Sequence, residues 1–107
     1  MDKTLKNQIL SQKLVIIKNL IKSGCYLFIN RSINTNTLAK YGISINCMEQ
    51  LIMRLTPENY YKGPETDRDG SEGEIWIFNH PINNTQLYIK LKLIAKKSFL
   101  KIISFHD

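Results

Sequence analysis

Tyr88, Lys90 and Lys92 alternate with Leu87, Ile89, Leu91 and Leu93. That two-residue period predicts a β-strand with one apolar and one polar face. A phenolic hydroxyl and two cations along one face form a platform for a phosphodiester backbone, because ammonium groups make charge-assisted hydrogen bonds to phosphate oxygens. His106, on what should be the next strand, adds a group that titrates near neutral pH. A set of Lys, Tyr, Arg and His suits cleavage of RNA by its own 2′-hydroxyl. A base takes the hydroxyl proton, the oxygen attacks phosphorus in line, cations stabilise the phosphoryl charge, and an acid protonates the leaving 5′-oxygen. Spacing alone supports RNA binding and does not by itself carry cutting. A non-catalytic RNA-binding or protein-interaction module on the same basic face is therefore the rival reading.

Other chemistries lack their residues. The sequence has no phosphate-binding glycine loop, no G-x-S-x-G and no histidine pair at metal spacing. Glu65-x-Asp67-x-Asp69-Gly70 imitates the start of an EF-hand loop. The twelfth position, which must be a bidentate carboxylate, is Trp76. A solvated, turn-rich acidic loop is expected there, with neither metal nor cofactor. His80 beside Pro81 reads as a turn residue and Trp76 as core.

The net charge of +6 is unevenly distributed. Glu58, Glu65, Asp67, Asp69, Glu72 and Glu74 are clustered, whereas the rest of the chain holds 13 Lys and Arg against Asp2, Glu49 and Asp107. A body with that excess attracts polyanions. Arg31 and Arg54 are further candidates for RNA contact, beside Lys90 and Lys92. Cys25 and Cys47 form no C-x-x-C pair and read as buried thiols of a reducing compartment. The apolar run from Leu14 to Ile21 is broken by Lys18 and Asn19, which excludes a membrane span, and a cytoplasmic location is expected.

The elements that must position these residues follow an α+β order, N-terminal helices packed on a C-terminal antiparallel sheet, within one domain over residues 1–107. Leu5, Ile9, Leu14, Ile17, Leu20 and Ile21 recur near the helical period, with Gly24 as the stop. Cys25 to Ile29 reads as a short strand and Asn34 to Lys40 as a short helix ended by Gly42. Asn46-Cys47-Met48-Glu49 matches a capping box, ahead of an inward stripe of Met48, Leu51, Ile52 and Leu55. Thr56-Pro57-Glu58 is a second helix start. Gly63 to Gly73 is a polar loop, and strands from Ile75 turn at Asn83-Asn84 and at Lys96-Lys97.

The ordered set Leu55-Thr56-Pro57-Glu58-Asn59-Tyr60-Tyr61-Lys62, Ile75-Trp76, Leu87-Tyr88-Ile89-Lys90 and Ile103-Ser104-Phe105-His106 resembles the MqsR family of bacterial toxin mRNA interferases. Leu20-Ile21-Lys22-Ser23-Gly24 and the segment from Leu38 to Leu55 fit the same order, so the likeness covers nearly all of the chain. It implies a RelE-like fold, metal-independent cleavage of mRNA, and a neutralising antitoxin encoded nearby. By position it implies that Lys62 and Tyr88 are active-site residues. His106 falls where a member of the family carries a lysine near the C-terminus, and Ile77 stands in place of the glutamine that follows the tryptophan.

Catalysis at Lys62, Tyr88 and His106 requires that His106 point toward Tyr88. Periodicity leaves that open. Leu100, Ile102, Ser104 and His106 have one parity, and Phe99, Ile103 and Phe105, just as apolar, have the other.

Overall fold

The computed structural model describes residues 3–107, in which N-terminal helices cover one face of a mixed five-stranded sheet. Helix α1 (Lys3–Lys22) buries Leu10, Leu14, Ile17, Leu20 and Ile21. Those spacings of three and four put one stripe on the sheet, and burying each side chain contributes roughly 1.5–3 kcal/mol. Leu5, read from the sequence as part of this stripe, is exposed, and Leu10 takes the inward position.

Strand β1 (Tyr26–Phe28) leads to helix α2 (Ser32–Tyr41), which Gly42 closes in the left-handed conformation. Helix α3 (Ile45–Met53) is capped by Ser44, whose hydroxyl accepts from the Cys47 N–H. The cap lies two residues before the Asn46 expected from the capping box, because the chain is already helical at Ile45. Met48, Ile52 and Leu55 are fully buried, as the stripe requires. Thr56-Pro57 does start a helix, but only the single 3₁₀ turn Pro57–Asn59. There the Asn59 Oδ1 accepts from the Thr56 N–H, and Tyr60 is already extended.

That extended segment is β2 (Tyr60–Glu65), which the sequence reading placed partly in the polar loop. It pairs antiparallel with β3 (Glu74–Ile82), which pairs with β4 (Thr85–Ile94), which pairs with β5 (Phe99–His106). The expected meander of β3, β4 and β5 is present. β2 extends it at one edge and β1, parallel to β5, at the other, giving the order β1-β5-β4-β3-β2. β2 runs close to β3 at Gly63 (φ +127°), where an added Cβ would lie 2.6 Å from the Ile75 carbonyl oxygen. Only glycine fits that approach.

Trp76 and Phe78 of β3, Leu87, Ile89, Leu91 and Leu93 of β4, and Leu100, Ile102 and Phe105 of β5 face the helices and form the core with them. Among the described residues no helix lies on the sheet's other face, which is partly roofed by the loop between β2 and β3. Cys25 and Cys47 are both exposed and free, not buried as expected. Each sits at the rim of the helix layer, Cys25 just after α1 and Cys47 in the first turn of α3. No helix among the described residues is long and apolar enough to cross a membrane.

Candidate active site

Parity along β5 decides the site, and the strand changes parity midway. Leu91 is opposite Ile102 and Lys90 is opposite Ser104, so Ile103 is an extra residue bulged out of the ladder. Leu100 and Ile102 face the core before the bulge and Phe105 faces it after. Both sequence parities were therefore apolar because each is the inward one for part of the strand. Past the bulge, His106 emerges on the open face directly opposite Tyr88. The two rings stack, centroids 5.4 Å apart and planes 29° from parallel.

The His106 Nδ1 lies 3.1 Å from the backbone oxygen of Asp107. That oxygen only accepts, so Nδ1 is the donor, and the contact assigns the Nδ1–H tautomer, in which Nε2 carries the lone pair. Asp107 itself is held from α2. Its Oδ2 accepts from Lys40 Nζ at 2.7 Å and from the Tyr41 hydroxyl.

Beside the stacked pair lies a cleft of about 920 Å³, whose lining includes Lys62, Tyr88, Lys90, Arg68 and Ile77. Strand register places Lys62 opposite Ile77, Ile77 opposite Lys90, and Lys90 opposite Ser104, one row across four strands. Arg31 closes the row, donating from Nη1 to the Ser104 hydroxyl and the Ile103 carbonyl, each at 3.3 Å. Ile77 forms an apolar floor between the two lysines and is almost fully buried. Lys62 pairs with Glu65 at 3.2 Å while staying more than half exposed. The hydrogen bond to Glu65, then its charge, raise the ammonium above its ordinary range, so Lys62 is a cation at neutral pH.

Lys92 differs from what its alternation implies. It is on the same face as Tyr88 and Lys90, yet only 3% exposed. The acidic loop folds over it, and its Nζ donates to Asp67 Oδ2 at 2.8 Å and to the Ser71 hydroxyl. The Lys92 stem passes Gly73 (φ +130°), where an added Cβ would meet the stem at 2.9 Å. Lys92 is thus the anchor of a strap and not an open RNA contact. The hydrogen bond from Lys92 holds Asp67 down at about 2. Arg54 ends α3 in the helix layer and does not line the cleft. His80, read from the sequence as a turn residue, lies within β3 opposite Leu87, its Nδ1 2.8 Å from the Pro81 oxygen.

Several residues of this face escaped sequence reading. Arg68 was hidden in the acidic loop and reaches the cleft because Lys92 holds that loop down. Lys101 shares the open face with Lys92, a placement that depends on strand parity. Glu65 was counted only as a loop charge, although it pairs with Lys62. Asn34 was read only as the start of a short helix.

The fold and cleft define a small α+β protein whose bare sheet face carries cations around a stacked Tyr–His pair. The sequence model of the family described as "Motility quorum-sensing regulator, toxin of MqsA" matches residues 11–107, and the chain belongs to that family. It is accordingly a toxin of a toxin–antitoxin pair, and its family implies a cognate antitoxin as partner. No curated protein matches the chain.

Proposed function

We propose that this toxin is a metal-independent endoribonuclease that cuts mRNA and thereby arrests translation and growth, with the antitoxin neutralising it. The observation that carries the reading is the Tyr88–His106 stack at the edge of the Lys62–Lys90 cleft. It puts a proton-transfer group, a hydroxyl and two cations on one accessible face, from three distant segments.

Neutral His106, with Nδ1–H on the Asp107 carbonyl, takes the 2′-hydroxyl proton at Nε2. The freed oxygen attacks phosphorus and the bond to the 5′-oxygen breaks. The imidazolium returns the proton to that leaving oxygen, so a 2′,3′-cyclic phosphate and a 5′-hydroxyl end result. Lys62, a permanent cation at neutral pH, cannot be the base and serves the charge on the phosphoryl oxygens. Tyr88 orients the phosphate through its hydroxyl and His106 through its ring. Lys90 and Arg31 hold flanking phosphates.

Purified protein incubated with RNA in EDTA should give defined cuts whose 5′-hydroxyl ends accept phosphate from a polynucleotide kinase without phosphatase treatment. Intact RNA with binding retained would replace the enzyme reading with that of a binding module.

A further inference from the structure

We infer that Asn34, buried in α2, is the positioning residue that turns His106 toward Tyr88. The inference deepens the proposed function, since it explains how the chain aims the group to which proton transfer is assigned.

The bulge at Ile103 leaves backbone groups that the ladder does not satisfy. β1 pairs with β5 only as far as Phe28 opposite Ile102, followed by Ile29 N–H on the Ile102 carbonyl at 3.0 Å. From Ile103 onward, the side of β5 away from β4 has no strand beside it. Asn34 takes that place. Its Nδ2 donates to the Ile103 carbonyl at 3.0 Å and its Oδ1 accepts from the Phe105 N–H at 3.0 Å. One side-chain amide thus spans the parity change as a backbone amide of a neighbouring strand would. The second Nδ2 hydrogen goes to the Ile29 carbonyl at 3.0 Å, tying the bulge to the end of β1. Asn34 is 0% exposed, so these donors and acceptors have no water to exchange with. Arg31 gives the Ile103 carbonyl a second donor.

The alternative to the bulge is a regular strand. In register with Leu91–Ile102, Ile103 would then oppose Lys90, Phe105 would oppose Tyr88, and His106 would turn to the core beside Leu87. A one-residue slip reverses every following side chain. It would bury an imidazole and expose a phenyl ring, and the cleft would lose His106. The grip of α2 on Asp107 through Lys40 and Tyr41 secures the strand end beyond the bulge.

The test separates positioning from folding and from cleavage. In the wild-type protein, NMR should show the His106 ring protons shifted upfield by Tyr88, a shift abolished by Tyr88→Leu. Asn34→Ala should lose that Tyr88-dependent shift. Its kcat on RNA should fall about a hundredfold with KM little changed, the cost of misplacing a reacting group. Deleting Ile103 in the Asn34→Ala background removes the extra residue and makes a regular strand with the native parity, so the shift and kcat should both return. If Asn34→Ala alone fails to fold, recovery of fold and shift in the double variant supports the inference equally. A retained shift in Asn34→Ala, or a double variant that restores neither fold nor shift, overturns it. If the shift behaves as expected while the wild-type protein leaves RNA intact, the cleavage reading fails and the positioning inference stands.

Discussion

Replacing His106 with alanine should separate chemistry from stability by a wide margin. The side chain is half-buried at the last position of β5, and its ring contact is the stack on Tyr88 at 5.4 Å. Losing an aromatic pair costs roughly 0.5–1.5 kcal/mol beyond area burial. A domain of this size is stable by about 5–15 kcal/mol, so loss of the stack together with about 1 kcal/mol of buried area leaves ~2.5 kcal/mol in the weakest case and about 98% or more of the chains folded. Removal of a general acid–base group lowers the rate about 10²–10⁴-fold, or ~2.7–5.4 kcal/mol of transition-state stabilisation. Misfolding of a few per cent of the chains cannot account for such a loss. The measurement is single-turnover cleavage of a defined RNA in EDTA, with urea unfolding of the same preparation and growth arrest on induced expression. His106→Ala should unfold at nearly the wild-type urea midpoint, cleave at least a hundredfold more slowly, and lose toxicity. Cleavage within threefold of wild type by a folded variant would remove His106 from the mechanism.

Lys62→Met should cut kcat while leaving the slope of the pH profile near neutrality unchanged, because Lys62 stays charged there; loss in the variant of an inflection that the wild type shows near neutrality would contradict its role. Glu65→Gln removes the carboxylate that pairs with Lys62 and should tighten RNA binding, as read by fluorescence anisotropy. Arg31→Gln, Lys62→Gln and Lys90→Gln should each flatten the dependence of log K on log salt by about 0.7, one released counterion on single-stranded RNA. Arg54→Gln, in the helix layer, should leave that slope unchanged, as should Lys92→Gln, whose ammonium is already matched by Asp67. The strap should outlast ordinary acid exposure. Asp67 is depressed from 3.8 to about 2, so its contribution is complete above pH 3.8 and is lost as pH falls through about 2. Hydrogen exchange of the loop should stay slow at pH 4, and Asp67→Asn should accelerate it at neutral pH.

Local periodicity carried a large part of the fold. The stripe of α1, the stripe of α3 and the strict alternation of β4 each report burial of one face, a property that neighbouring residues encode among themselves. Charge segregation was legible too, and it located the acidic loop within an otherwise basic chain. β2 was not legible, because Tyr60 to Glu65 has no alternation and is extended only by pairing with β3. The structure brings Lys62, Tyr88 and Lys90, named from the sequence, to one cleft, while Lys92 and Arg54 are excluded from it. Their exclusion depends on distant partners, since the Asp67 that covers Lys92 is 25 residues away.

The amino-acid sequence by itself determined that a basic, Tyr-bearing strand face exists and that His106 follows on a later strand. Tertiary structure alone decided which way that histidine points. A strand's alternation is local, but its phase changes wherever a bulge is inserted. This bulge is held by an asparagine 69 residues from one of its partners and 71 from the other.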